Sequence, residues 1–211
     1  MTSSSSSDSR YPKLVAFDLD YTLWDLWIDT HVRGPLHRNG SKVNEVLDRN
    51  NDSISFYKDV PSILHELRSA GVCIAACSRT SAPDLAYQAL RLLLIPPPPS
   101  SSNLKANGKA SSKSKEEVTP AIEFFNQLEI YPGSKLTHFR KVHQKTGIPY
   151  SEMLFFDDEH RNKEVESLGV TFQLVSSSGT TNKLFEKGLA LWRKRHPAEV
   201  EDAEDGGENE E

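Results

Sequence analysis

The chain has 211 residues, a formal charge of -5 at neutral pH and 36% hydrophobic residues, a low apolar share that taken alone points to a small or partly unstructured protein. The shortfall is local: residues 1–9, 96–120 and 198–211 carry almost no apolar side chains, and the last fourteen residues hold eight acids and no base, so residues 1–197 carry a formal +3. The remainder suits one domain of about 160 residues, with no dense basic patch for nucleic acid and no apolar run of membrane-spanning length.

The first polar stretch is followed by Leu14 to Phe17, which reads as a strand. Residues 24–57 show no helical period and are expected to form a small flap. Asp59 and Pro61 open a helix whose Ile63, Leu64 and Leu67 share a face and which Gly71 closes. Val72 to Cys77 is nearly continuous in apolar residues, as in a strand covered on both faces. Ser81 and Pro83 start a second helix, with Leu85, Ala89, Leu92 and Leu93 expected on its inner side. The four prolines at 96–99 stop it, and the following stretch to about Thr119 reads as a flexible insert.

Phe124 to Tyr131 alternates as a strand, with a helix from Ala121 the competing reading. Ser134 to Thr146 is a basic helix closed by Gly147. Met153 to Phe156 is a third buried strand, Glu159 to Leu168 a helix stopped at Gly169, Val170 to Val175 a further strand, and Thr181 to His196 a final amphipathic helix. This alternation predicts an α/β fold, a Rossmann-like parallel sheet sandwiched by helices, in a single domain without a large cap. The expected boundaries are a disordered 1–9, a domain at 10–197 interrupted by the 24–57 flap and the 96–120 insert, and a disordered acidic tail at 198–211.

Cys73 and Cys77 lie about 13 Å apart along an extended strand, too far for a disulfide, and read as buried thiols of a reduced compartment. Met1 is followed by Ser-rich polar sequence rather than an apolar signal core, so a cytoplasmic protein is expected, with the nucleus as the alternative; a monomer is expected as well. His138 and His143 are five apart on a helix and do not share a face as a metal pair would.

In folds of this class the chemistry gathers beyond the carboxyl ends of the strands. Asp18-Leu19-Asp20 stands after the first strand, Ser78-Arg79-Thr80 after the second and Asp157-Asp158-Glu159 after the third, while Lys135 opens the basic helix. Carboxylates brought together from separate strand ends repel unless a cation lies among them, and oxygen donors without His or Cys favour Mg²⁺. Such a site accepts a phosphate group, with Lys135, the Ser78 hydroxyl and backbone amides after Asp18 adding to its neutralisation. The two-residue spacing lets Asp18 attack phosphorus while Asp20 protonates the leaving oxygen and then activates water. Crowding by Asp18 is expected to raise the pKa of Asp20.

Asp18-Leu19-Asp20-Tyr21-Thr22-Leu23 resembles the first motif of haloacid-dehalogenase-type phosphatases. With Trp24, Trp27-Ile28-Asp29-Thr30-His31-Val32, Ala76-Cys77-Ser78-Arg79-Thr80, Ile130-Tyr131-Pro132-Gly133-Ser134-Lys135 and Phe155-Phe156-Asp157-Asp158-Glu159-His160-Arg161-Asn162, the chain is similar to the magnesium-dependent phosphatase-1 family from about residue 13 to 195, outside the insert. The resemblance implies Asp18 as nucleophile and Mg²⁺ ligand, Asp20 as general acid/base and backbone ligand, and Asp158, with Asp157 next, as a further ligand. It also implies Ser78, Arg79 and Lys135 as phosphate-binding residues. The implied substrates are phosphate monoesters, either a phosphorylated protein bearing phosphotyrosine or a small molecule such as a sugar or fructosamine phosphate. Asp25 departs from the family's expected proline, which suggests a more mobile and more negative loop.

Trp24, Trp27 and Tyr21 are candidates to stack on a substrate ring, against a core role for tryptophan near a strand. His31, His37, Arg33 and Arg38 are candidates to read a substrate anion, against a solvated flap. The competing functional class is a receiver-like phosphoacceptor domain, which also collects carboxylates, a hydroxyl and a lysine around Mg²⁺ but does not turn over repeatedly.

Overall fold

The computed structural model describes residues 8–98 and 118–197. β1 (Leu14–Phe17) leads through a one-turn helix, α1 (Ile28–His31), to three two-residue strands, β2 (His37–Arg38), β3 (Val46–Leu47) and β4 (Ser53–Ile54). Then come α2 (Val60–Ser69), β5 (Cys73–Ser78), α3 (Pro83–Leu92), β6 (Leu94–Ile95), β7 (Thr119–Pro120), β8 (Gln127–Ile130), α4 (Lys135–Thr146), β9 (Met153–Asp157), β10 (Thr171–Leu174) and α5 (Asn182–Arg195). The expectations for both chain ends and for most of the 96–120 insert fall outside the described residues.

Five parallel strands form the main sheet in the order β10-β9-β1-β5-β8. Side chains alternate across the sheet as the two-residue pleat requires. Val15, Phe17, Ile74, Ala76, Leu154 and Phe156 face one way, against α2, α3 and α5. Leu14, Ala16, Ala75, Cys77, Met153 and Phe155 face the other way, against α4 and the 160–168 segment. This is the α/β sandwich expected of strands that are apolar on both faces. Because β1 is central, the chain runs outward to β5 and β8 on one side and then crosses to β9 and β10 on the other. A switch point of that kind leaves a crevice at the carboxyl end of the central strand.

Several local details differ from the sequence pattern. β8 begins later than expected, because Ala121–Phe124 is a 3-10 turn ahead of it. Asp59 accepts the Asn182 backbone N–H at 3.0 Å rather than capping its own helix. α3 buries Ala86, Ala89 and Leu90, while Leu85 and Leu92 pack at the margin. Residues 24–57 contain the one-turn α1, and β2, β3 and β4 form a small antiparallel sheet. His160–Leu168 is wound in 3-10 turns rather than as an α-helix. The three-residue period of such turns puts Asn162, Val165 and Leu168 on one inward face, and Asn162 and Val165 are buried there.

Helix α5 lies close to the sheet at Gly188, where an added Cβ would stand 2.5 Å from Phe156 Cζ. Phe156 is buried between Phe17 and Phe185 and has no room to move aside. Gly188→Ala is therefore expected to destabilise the protein, with overpacking of up to about 3 kcal/mol exceeding the roughly 1 kcal/mol of regained helix propensity. A urea unfolding midpoint unchanged or higher in the variant would contradict this close approach.

Candidate active site

The residues flagged at the strand ends meet in one place. A cavity of about 280 Å³ at the carboxyl edge of the sheet is lined by Asp18, Asp20, Ser78, Arg79, Lys135 and Asp158, with Trp27, Asp29 and Arg161 among its walls. Asp157 lies just behind, fully buried. Asp18 leaves β1 held by its own N–H, which donates to the Phe156 carbonyl at 2.9 Å. The chain then turns sharply, with Leu23 N–H donating to Leu19 O at 2.8 Å and Tyr21 in the left-handed region at φ 51°. A non-glycine residue in that region carries local strain of the sort met at functional turns.

Lys135 is placed by the start of α4. Ser134 caps that helix by accepting the Leu136 N–H at 3.1 Å, and Gly147 closes it in the left-handed conformation. The first helical residue is thereby aimed under the sheet edge. Its ammonium group donates to Asp18 Oδ1 at 2.6 Å and to the Cys77 carbonyl, and lies 3.1 Å from Asp157 Oδ2. Lys135 is almost completely buried, which disfavours the charged form, but Asp18 and Asp157 outweigh that and raise its pKa.

Three carboxylates, Asp18, Asp157 and Asp158, each offer an oxygen within 4.8 Å of the others. Burial, together with repulsion from Asp157 and Asp20, pushes Asp18 up despite Lys135. Burial, then Asp157 and Glu159, push Asp158 up to about 6. One lysine thus leaves the cluster under-neutralised, and its oxygen-only donors suit a hard divalent cation. The two acids of the pair are not equivalent. Asp157 is enclosed and bonded on both oxygens, whereas Asp158 is half-buried and faces the cavity.

Asp20 stands apart from that cluster. Its Oδ1 accepts the Trp24 indole N–H at 2.7 Å and the Ile28 backbone N–H at 3.2 Å. Its pKa is raised to about 6, as expected in direction, but crowding by Asp18 is not the principal cause. Burial raises it, the two donors oppose, and the Asp29 charge adds to the rise. Trp24 is fully buried and stacked with Phe56 at 6.0 Å, so it is both a core residue and the clamp on Asp20.

A family model described as acid phosphatase matches residues 10–195. The chain belongs to this acid phosphatase family. A HAD-like hydrolase superfamily protein of Schizosaccharomyces pombe is 46% identical over 163 residues, 77% of this chain and 85% of its own. Magnesium-dependent phosphatase 1 of Homo sapiens is 43% identical over 187 residues, 88% of this chain and 90% of its own. Among solved structures, the N-terminal part of a Bacteroides fragilis protein containing a phosphatase domain, complexed with Mg, superposes with a TM-score of 0.53 at 17% identity. That match covers 87% of this chain and 41% of the other, and at such identity it concerns the fold alone.

In this acid phosphatase the sequence pattern did not single out Asn162, although it closes the motif that begins at Asp157. Its Nδ2 donates to both Asp157 oxygens, at 2.9 and 2.8 Å, while its Oδ1 accepts from Arg79 at 3.2 Å. One buried amide therefore links the carboxylate pair to the arginine of the neighbouring strand end. The three-residue period of Asn162, Val165 and Leu168 is the signal that marks it as inward-facing. Asp29 is a second residue outside the predicted set. It accepts the Ser81 N–H and hydroxyl at 3.2 and 2.8 Å and so ties α1 to the start of α3.

The flap histidines and Arg38 do not reach the cavity. His31 accepts the Trp27 N–H, and Arg38 is spent on the Val43 and Leu92 carbonyls. Asp25 is tied down, accepting the Tyr57 hydroxyl at 2.9 Å, and Tyr57 N–H donates to Leu23 O. The Tyr57 ring packs on Gly179, where a Cβ would lie 2.1 Å from it. The loop that leaves the site is thus anchored from two sides instead of being freed by the missing proline.

Asn162→Ala should cost about 1–3 kcal/mol, because it strips a fully buried carboxylate of its amide donor. Urea unfolding checks this; an unchanged midpoint would show that Lys135 and the Glu159 N–H suffice to hold Asp157.

Proposed function

We propose that this chain is a magnesium-dependent hydrolase of phosphate monoesters that works through an aspartyl-phosphate on Asp18. The observation that carries the reading is the convergence of Asp18, Asp157 and Asp158 within 4.8 Å of one another at a cavity that Asp18, Asp158 and Asp20 line and behind which Asp157 is buried. The family and the name of the human relative, a magnesium-dependent phosphatase, support it. Asp18 and Asp158, with Asp157 behind them, would hold the ion together with the Asp20 backbone carbonyl. When bound, Mg²⁺ supplies charge neutralisation for the carboxylates and for the phosphate oxygens.

The protein's own groups divide the remaining work. An Asp18 carboxylate oxygen forms a bond to phosphorus as the bond from phosphorus to the leaving oxygen breaks. Asp20, protonated at mildly acidic pH because its pKa is raised to about 6, gives its proton to that oxygen. The resulting carboxylate then takes a proton from water, whose oxygen attacks phosphorus and releases inorganic phosphate and free Asp18. Ser78, Arg79 and Lys135 orient the phosphate, and Asn162 holds Arg79 in register with Asp157.

Among monoesters we favour phosphotyrosine on a protein, with sugar and fructosamine phosphates next. Trp27 is about half exposed at the cavity mouth, packed edge-on against Tyr21 at 5.3 Å. An exposed indole over an open phosphate site can stack on an aromatic or sugar ring. The small 24–57 elements leave the mouth open to a substrate carried on a larger surface. Membership of a phosphatase family argues for turnover over a receiver-like switch.

Purified protein should release phosphate repeatedly from phosphotyrosine peptides with Mg²⁺, and lose that activity with chelator. Asp18→Asn should lower kcat by at least about 10³-fold, the scale of removing a covalent nucleophile. Wild-type activity in that variant, or full activity without divalent cation, would overturn the assignment.

A further inference from the structure

Asp29 lines both the catalytic cavity and a second, larger depression of about 670 Å³, whose other walls include Arg33, Arg49, Asn50 and Leu85. Both arginines are exposed, and among the described residues neither guanidinium enters an ion pair. Their placement is nevertheless rigidly built. Asp48 is fully buried, and its carboxylate accepts the backbone N–H groups of Arg33, Asn50 and Asp52 at 2.9, 2.7 and 3.0 Å. Arg49 N–H donates to the Arg33 carbonyl at 2.8 Å, so the backbones of the two arginines are joined side by side.

The same segment is pressed onto α3. A Cβ at Gly34 would stand 2.7 Å from Leu85, and the Leu36 N–H donates to the Gln88 side chain. Burial opposes the charge on Asp48, but the N–H groups of Arg33, Asp52 and Asn50 hold its carboxyl below the usual carboxylate range, so the turn that carries both arginines is firmly bonded. Each guanidinium group is a planar donor fork that matches a carboxylate, and both arginines line the same depression.

We propose that Arg33 and Arg49 form a second anion subsite, which takes an acidic side chain flanking the phosphorylated residue of a peptide substrate. Asp29 separates the two anion positions and repels a charge placed between them. The second anion must therefore be spaced from the scissile phosphate by intervening chain. The depression's open form beside an open cavity mouth suits an extended peptide. This inference rests on the phosphatase reading and refines it to acidic phosphopeptides.

The test compares two phosphotyrosine peptides that differ only in flanking Glu or Gln, with p-nitrophenyl phosphate as a substrate lacking flanks. Exposed charge contacts are each worth roughly 1.5- to 5-fold. Wild type should accordingly favour the Glu peptide by about 5-fold in kcat/KM, through KM, with the preference shrinking at high salt. Arg33→Gln with Arg49→Gln should abolish that preference and leave p-nitrophenyl phosphate turnover unchanged. Equal kcat/KM for both peptides in wild type, or a preference retained by the double variant, would overturn the subsite while phosphatase activity stands. No hydrolysis of any probe with Mg²⁺ would overturn the underlying reading instead.

Discussion

The site depends on a buried ammonium group holding together carboxylates that would otherwise repel. Lys135 lies between Asp18 and Asp157, two residues that follow or end neighbouring strands of the sheet. Without that charge the edge of the sheet at β1 and β9 would concentrate negative charge in a region of low dielectric, at a cost that folding could not readily bear. With it the cluster is tolerable, though three carboxylates still face one ammonium, and burial first, then repulsion from Asp157, pushes Asp18 and Asp158 up. A divalent cation would supply the missing positive charge and, with it, let an anionic phosphate approach the carboxylates.

The second constraint is the separation of roles between Asp18 and Asp20. Both leave the same strand two residues apart, yet their surroundings diverge because Tyr21 turns the chain. Asp18 is drawn to Lys135, while Asp20 is clamped by Trp24 and the Ile28 N–H. Under the proposed mechanism the first would attack and the second would carry a proton near its raised pKa. The loop that enforces this is anchored far along the chain, where the Thr180 N–H and hydroxyl both donate to the Thr22 carbonyl. The segment between β10 and α5 thus contributes to the site without lining it.

The main sheet was legible because its strands are short apolar runs bounded by turn residues, and chemistry at strand ends follows from parallel topology. Asp18, Asp20, Ser78, Arg79, Lys135, Asp157 and Asp158 were found that way, and they do converge. What the sequence hid are interactions without a local period. Strands of two residues at 37–38, 46–47 and 53–54 leave no alternation to read. The buried Asp48 resembles any loop aspartate until its three amide partners are placed around it. Asn162 was hidden because a polar residue on an inward helix face shows no role until its partners Asp157 and Arg79 are placed around it. The principal cause of the Asp20 shift, its burial, depends on tertiary packing, whereas proximity to Asp18 is visible in sequence.

The central claim, that Asp18 becomes covalently phosphorylated during turnover, is tested most directly by rapid quench with a ³²P-labelled aryl phosphate in the presence of Mg²⁺. The account predicts protein-bound label released by hydroxylamine, absent from Asp18→Asn and persisting longer in Asp20→Asn. Full turnover with no protein-bound label at any time, or label retained by Asp18→Asn, would contradict it.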